Sequence, residues 1–450
     1  MKITDKIRIG ILLSCIIFSQ ISVAQNYNAK IDSLLNAYSV LNKFNGTALV
    51  FQKGKILYKK SYGYSDKSNN QLVSSKNIFR IGSLTKTFTA ILVLKLAEQK
   101  LIALDNPIYK FLPDFPNGSR ITIRHLLTHT SGVYEPFRNP VFIENLSSLK
   151  KYSNTEKVNY FINEPLDFEP GSKFSYSNSG YVLLGVIIEK ITGKSYEECL
   201  NYYLFSSLKM SNTGFGFSHV KKYRTVGYGY LSNTKQIEAP IWNPDLLFSA
   251  GALYSNTADL LSFYKGVKSF SIISRANLAE ATTQYLGGYG LGFYIDSIGP
   301  DAVVNHGGNI EGFTSYFAMN TERDICIILL NNITSASLQR IGNSIYKIVT
   351  NQRYSLPKPK QEIKISNDLL MSYAGKYEIS SNNVVNILYE NSKLFLQEND
   401  GNKFELMAEK ENSFFIKGED IEIEFITVKG NVSSVKIKQG LLRKVGDKTK

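Results

Sequence analysis

Apolar residues recur at helical spacing from Asn28 to Leu41, with Ile31, Leu34, Leu35 and Tyr38 on one face, and predict an amphipathic helix. The period then changes. Gly46-Thr47-Ala48-Leu49-Val50-Phe51 and Ile56-Leu57-Tyr58 flank Lys53-Gly54, the pattern of a β-hairpin. From Ser83 to Gln99 the chain is rich in Thr, Ala, Leu and Lys and free of Gly and Pro, so a long helix is expected. Residues 101–243 alternate loops with short helices, and Gly180–Ile191 is the clearest buried one. Strand character returns near Gly290–Asp296, Ala302–His306, Thr314–Met319 and Asp324–Leu330, and a helix from Leu338 to Thr350 follows. Strands at both ends with helices between them predict an α/β (α+β) domain: one sheet completed by distant segments, with a helical insert.

Pro357, Pro359 and several lysines mark 352–364 as a linker. Beyond it, Val384–Leu388, Lys393–Gln397, Ser413–Lys417 and Ile421–Val428 alternate across Asn- and Gly-containing turns, predicting a small β-rich domain over 365–450. The large domain would span 25–351. Residues 1–24 read as a secretory signal: Lys2, Lys6 and Arg8, an apolar run from Ile9 to Phe18, then Ser22-Val23-Ala24. The run is too short for a good membrane span, and it continues past Cys15, which argues against a lipoprotein box at Leu12-Leu13-Ser14-Cys15. The mature chain would be periplasmic or secreted, with no stable span.

Hydrophobic residues at 43% and charged residues at 20% describe a folded chain rather than a disordered one. The net charge of +14 comes from scattered lysines without a basic run, which excludes nucleic acid as the expected partner. After loss of the leader Cys199 and Cys326 remain. A chain this long does not need them paired, and both lie in apolar segments that suit buried thiols.

The chemistry concentrates in Phe79-Arg80-Ile81-Gly82-Ser83-Leu84-Thr85-Lys86. Ser83 opens the long helix and Lys86 lies one turn later on the same face. A serine hydroxyl needs a proton acceptor to act as a nucleophile, and a desolvated lysine can provide one. Ser-x-x-Lys alone is a weak signal, since it recurs at Ser147–Lys150, Ser206–Lys209 and Ser262–Lys265. Ser83 differs in following a glycine at the start of a helix. A second element is Tyr176-Ser177-Asn178, where a phenol can relay protons and an amide can hold Lys86 or a substrate. It precedes a buried helix, unlike the same spacing at Tyr152, Tyr254 and Tyr389. A third is His306-Gly307-Gly308, at the end of the short strand Val303-Val304 and entering a Gly-rich bend. There His306 is either a ligand-orienting or a structural histidine, and the backbone N–H of Asn309 can join that of Ser83 in an oxyanion hole. His125 and His129 have the spacing of a metal pair on a helix but no glutamate between them, and no metal or cofactor is expected.

Phe79–Ala90, Ile123–Gly132, Tyr176–Gly180, Ala250–Leu253 and His306–Phe313 occur in that order and closely resemble the serine β-lactamase-like hydrolases, across roughly residues 28 to 350. That family includes class C β-lactamases, DD-carboxypeptidases, D-aminopeptidases and esterases. The resemblance implies Ser83 as nucleophile, Lys86 and Tyr176 sharing general-base work, and Asn178 orienting Lys86 and the substrate. It places His306 where class C β-lactamases carry the lysine of a Lys-Thr-Gly triplet. This chain has no such triplet, which argues against efficient β-lactam hydrolysis. The implied substrate is a D-amino-acid peptide or small ester, with cell-wall-derived molecules among the candidates; the alternatives are a true β-lactamase or a non-hydrolytic penicillin-binding receptor. The final domain is similar to the lipocalin-like barrels appended to such hydrolases.

Overall fold

In the strand Ile325–Asn331, Cys326, Ile328 and Leu330 face one apolar cluster while Ile325, Ile327 and Leu329 face another. Successive strand side chains point to opposite faces, so an unbroken apolar strand requires a sheet covered on both sides. The computed structural model describes residues 27–450 except 233–234, 335–337, 381–382, 400, 417–420, 429, 440–441 and 450. The signal segment read in residues 1–24 lies outside the described residues.

Six strands form the sheet: β1 (Gly46–Gln52), β2 (Lys55–Tyr62), β3 (Tyr294–Ile298), β4 (Asp301–Ile310), β5 (Phe313–Asn320) and β6 (Ile325–Asn331), in the order β3-β4-β5-β6-β1-β2. β1 pairs antiparallel with β6, setting Gly46 opposite Asn331, so distant segments do complete one sheet. The β1–β2 turn carries Lys53 at φ 47° and Gly54 at φ 77°, the left-handed geometry that matches hairpin twist. Helix α1 (27–40) buries Ile31, Leu34, Leu35 and Tyr38 against one face, beside the helix Leu338–Val349. The other face carries the helical half of the molecule.

At the centre of that half lies α2 (Thr85–Glu98), with residues Thr85 to Leu94 all buried. A helix buried on every side belongs inside a core, and each fully buried Leu or Ile contributes about 2 kcal/mol over exposure. Helix α3 (Asn178–Thr192) packs alongside and ends at Gly193. It begins two residues earlier than the apolar pattern suggests, because Ser177 caps it by accepting the Gly180 N–H at 3.3 Å.

Two expectations are corrected. Gly290–Phe293 is not strand: Gly290 N donates to Phe293 O at 2.8 Å and Leu291 N to Ala281 O at 2.9 Å, a turn tied to the helical half, and β3 starts at Tyr294. His306-Gly307-Gly308 is not a bend. It continues β4, paired with Phe317, Tyr316 and Ser315 of β5. On its other side β4 is paired with β3 only as far as Asn305. The open edge from His306 onward, more than the glycine content, gives the triplet its character.

Cys199 and Cys326 are buried free thiols. Residues 352–366 carry no helix or strand. Beyond them a helix, Asn367–Tyr373, precedes eight strands in sequential order that close into a barrel. Tyr377 pairs with Lys448 at the seam, and Tyr373, Tyr377, Phe414 and Phe425 fill the interior.

Candidate active site

Gly82 adopts φ 52°, a left-handed conformation, and a Cβ there would stand 3.0 Å from the Asn309 N of β4. The chain thereby turns tightly at the sheet edge, passes through a short 3₁₀ turn, Gly82–Leu84, and enters α2. Ser83 sits on that turn, half-buried and bordering a cavity of about 210 Å³.

Lys86 follows on the same face and is fully buried. Its Nζ lies 3.1 Å from Ser83 Oγ, 2.8 Å from Asn178 Oδ1 and 2.8 Å from the Ala250 carbonyl oxygen. Burial pulls its pKa down to about 7, with the Glu135 carboxylate pulling the other way. A free amine has two protons and one lone pair. Asn178 Oδ1 and Ala250 O take the two protons, which leaves the lone pair for the Ser83 hydroxyl.

The Ala250 carbonyl is aimed by an unusual backbone. The segment Pro244–Gly251 is helical except at Phe248, which has φ 39° and ψ −134°. A bulky residue is held in this strained conformation only when its surroundings dictate it. Here the Phe248 ring packs 5.3 Å from that of Tyr196 and 3.9 Å below Lys157 Nζ, while Ser249 O accepts from Thr89 Oγ1 at 2.7 Å.

Tyr176 brings its phenol close to the Ser83 side chain, near enough to be influenced electrostatically by it. Its pKa is raised well above the usual phenol range, first by desolvation and then by Tyr294, so the hydroxyl is held neutral. The Tyr176 ring lies 4.8 Å from Lys86 Nζ and 4.2 Å from the His129 ring. His129 is buried, and its Nδ1 accepts the Ser177 N–H at 3.0 Å, fixing the backbone between Tyr176 and Asn178.

Asn178 is the first residue of α3, rigidly placed. Its backbone N donates to Glu135 Oε2 at 2.6 Å and its Nδ2 to Glu135 Oε1 at 2.8 Å. Glu135 was not among the residues predicted. Nothing local in Tyr134-Glu135-Pro136 sets it apart from any loop carboxylate; only the fold brings it to Asn178.

His306 lies behind the site. It is buried, with Nε2 3.0 Å from the Tyr289 hydroxyl and Nδ1 2.5 Å from Gly307 O. Desolvation pulls its pKa down to about 3, leaving a neutral ring. Its ring centre is 6.4 Å from that of Tyr176, and it does not border the cavity. Gly307 and Gly308 share the strand but not the cavity wall, whereas Asn309 lines it. His125 serves its own short helix: its N donates to Thr122 Oγ1 at 3.2 Å and its Nδ1 accepts from Thr122 N at 3.3 Å. Among the described residues no group of side chains is arranged to hold a metal ion.

Ser83, Asn178 and Asn309 are the polar side chains of the cavity, and Phe137, Phe142, Trp242, Leu246, Leu247 and Ile310 supply most of its apolar wall. Among the described residues no lysine or arginine borders it. A serine hydroxyl with an amine of lowered pKa behind it, a neutral phenol beside it and an apolar pocket before it is equipped for acyl transfer.

The chain matches the beta-lactamase family model over residues 36–346, and a domain of unknown function (DUF3471) over 359–446. It is 28% identical over 427 residues to penicillin-binding protein 4* of Bacillus subtilis, covering 89% of this chain and 94% of that protein. Among solved structures it resembles the octameric penicillin-binding protein homologue from Pyrococcus abyssi (TM-score 0.66, 24% identity, 93% of this chain and 99% of that one). It also resembles the D-amino acid amidase from Ochrobactrum anthropi SV3 complexed with L-phenylalanine amide (TM-score 0.63, 25% identity, 71% and 98%). The chain belongs to the beta-lactamase family of serine hydrolases, which includes penicillin-binding proteins and D-amino acid amidases, and it carries an eight-stranded barrel at its C-terminal end.

Proposed function

We propose that the chain cleaves an amide or ester bond through an acyl-enzyme on Ser83, with a D-amino-acid peptide or a small ester as substrate. One observation carries this reading: the buried Lys86 Nζ stands 3.1 Å from Ser83 Oγ, with two other acceptors, Asn178 Oδ1 and Ala250 O, each 2.8 Å away. In the first step Ser83 Oγ attacks the carbonyl carbon and its proton passes to Lys86. The backbone N–H groups of Ser83 and Asn309 hold the developing oxyanion. Tyr176 gives its hydroxyl proton to the leaving amine or alcohol as the carbonyl re-forms, and is reprotonated from Lys86. A water molecule then attacks the acyl-enzyme by the same relay in reverse and releases the acid. The apolar wall of Phe137, Phe142 and Trp242 supports an uncharged acyl group or side chain next to the scissile bond.

Its family standing and the likeness to a D-amino acid amidase complexed with L-phenylalanine amide support amide chemistry. The leader read in residues 1–24 supports export to the periplasm or medium, where cell-wall-derived peptides would meet the enzyme.

The test is turnover of p-nitrophenyl esters, D-aminoacyl anilides and nitrocefin by wild type and Ser83→Ala, with mass spectrometry of any trapped adduct. Ser83-dependent hydrolysis of an ester or anilide, with the acyl mass on Ser83, is the expected outcome. Equal rates in the two proteins would remove the proposal.

A second reading is stable acylation by penicillin without turnover. It is favoured by the match to penicillin-binding protein 4* along nearly the whole of both chains. The cavity wall, with no cation for a β-lactam carboxylate, favours the first. Labelling by a fluorescent penicillin that persists for hours, in the absence of any ester turnover, would select the second.

A further inference from the structure

Glu135 sits opposite Lys86 across a single side chain. The Asn178 amide bridges them, its Oδ1 accepting from Lys86 Nζ at 2.8 Å and its Nδ2 donating to Glu135 Oε1 at 2.8 Å. Glu135 also accepts from two backbone N–H groups, Asn178 N at 2.6 Å and Phe137 N at 3.4 Å. Three donors converge on its two oxygens and favour the carboxylate form, while burial opposes them and raises its pKa above the usual carboxylate value. The Glu135 side chain also initiates the short turn Pro136–Arg138, which carries Pro136 and Phe137 into the cavity wall.

We propose that Glu135 is a positioning residue of this site: its carboxylate locks the Asn178 amide with Oδ1 toward Lys86. This rests on the reading of Ser83 as the acylated nucleophile. An asparagine amide is nearly symmetric in shape, and its neighbours decide which end faces which way. With Glu135 accepting at Nδ2, only the oxygen is left for the lysine. Turned over, the amide would set its own N–H₂ against Lys86 and remove one of the two acceptors that steer the lone pair toward Ser83.

The charge balance around Glu135 is short. Lys86 faces it from α2, the neutral Tyr176 phenol from the strand-like approach to α3, and Arg138 from its own turn. Arg138 is engaged by Asp167, at 2.8 and 2.6 Å, so the protonated form of Lys86 is the buried charge that Glu135 chiefly stabilises. The two neutral imidazoles, His129 and His306, have their ring centres 4.2 and 6.4 Å from that of Tyr176. Burial lowers the affinity of Lys86 for its proton and Glu135 partly restores it. Taking the charge away therefore moves the lysine's titration to lower pH.

The experiment compares full-length wild type, Glu135→Gln, Glu135→Asp and Ser83→Ala in kcat/KM for p-nitrophenyl butyrate across pH, with thermal unfolding as a folding check. In Glu135→Gln one oxygen becomes a donor facing donors. The expected result is a fall in kcat/KM of about tenfold to a hundredfold, the worth of one charge-assisted hydrogen bond, together with an acid limb moved to lower pH. Glu135→Asp keeps the charge but shortens the reach; it should keep the wild-type limb with an intermediate rate. A Glu135→Gln protein that folds and retains both the rate and the limb of wild type overturns the proposal while leaving the Ser83 reading intact. If Glu135→Gln does not fold, Glu135→Asp decides: a reduced rate with the wild-type limb supports the proposal and an unchanged rate overturns it. Hydrolysis by wild type no faster than by Ser83→Ala overturns the hydrolase reading, and this inference with it.

Discussion

A Cβ on Gly308 would stand 1.8 Å from the carbonyl oxygen of Ile81, the residue that precedes the Gly82-Ser83 turn. The strand edge and the nucleophile's turn are thus in backbone contact, and Ser315 Oγ donates to the same Ile81 oxygen at 2.7 Å. Any side chain at 308 must push the two apart. Gly308→Ala is expected to lower ester kcat/KM by about a hundredfold, the scale of an ångström-sized misplacement, with a smaller loss in melting temperature. Stopped-flow acylation beside thermal unfolding checks both.

In the proposed mechanism the amine of Lys86 works as a free base, the form that predominates above its depressed pKa. With that pKa near 7, kcat/KM should rise with pH through about 7 and then level off. Lys86→Arg substitutes a cation that keeps its proton throughout this range. It should remove the limb and lower acylation by about a thousandfold, measured as release of p-nitrophenol in a single turnover.

Tyr176 is held as a neutral phenol, and the proposed mechanism has it pass a proton to the leaving group rather than act as an anion. Tyr176→Phe preserves the ring stacked on His129 and deletes the hydroxyl. Loss should be greater for anilides, whose amine must be protonated, than for p-nitrophenyl esters, whose phenolate leaves unaided. A ratio of the two losses equal to one would argue against this role.

The apolar wall predicts an optimum in acyl length. Trp242→Ala and Phe142→Ala enlarge the cavity, and the preferred p-nitrophenyl ester should lengthen. Each misfit methylene is worth about tenfold or more in kcat/KM. A series from acetate to octanoate would reveal the shift.

At Phe248 two substitutions separate strain from packing. Both Ala and Gly lose the ring, but only Gly adopts φ 39° without cost. Phe248→Gly should be more stable than Phe248→Ala by about 1–2 kcal/mol, measured by urea unfolding.

Local chemistry made much of this legible. The period of the apolar residues gave α1, the β1–β2 hairpin, α2 and the barrel strands, because burial repeats with the geometry of each element. The spacing from Ser83 to Lys86 is one helical turn, so a helix at that point is enough to bring hydroxyl and amine together. Tyr176-Ser177-Asn178 was legible as a unit because a cap and a helix start hold it.

What the chain could not announce was set by contacts between segments far apart in sequence. The His306 triplet reads as a bend because glycines usually bend; it is strand because β5 pairs with it and Ile81 leaves no room for a side chain at 308. Glu135 and the Ala250 carbonyl carry no local mark, yet they decide where the protons of Lys86 point. Periodicity and spacing are properties of neighbours along the chain. The direction of a lone pair is decided by whichever groups the fold brings around it.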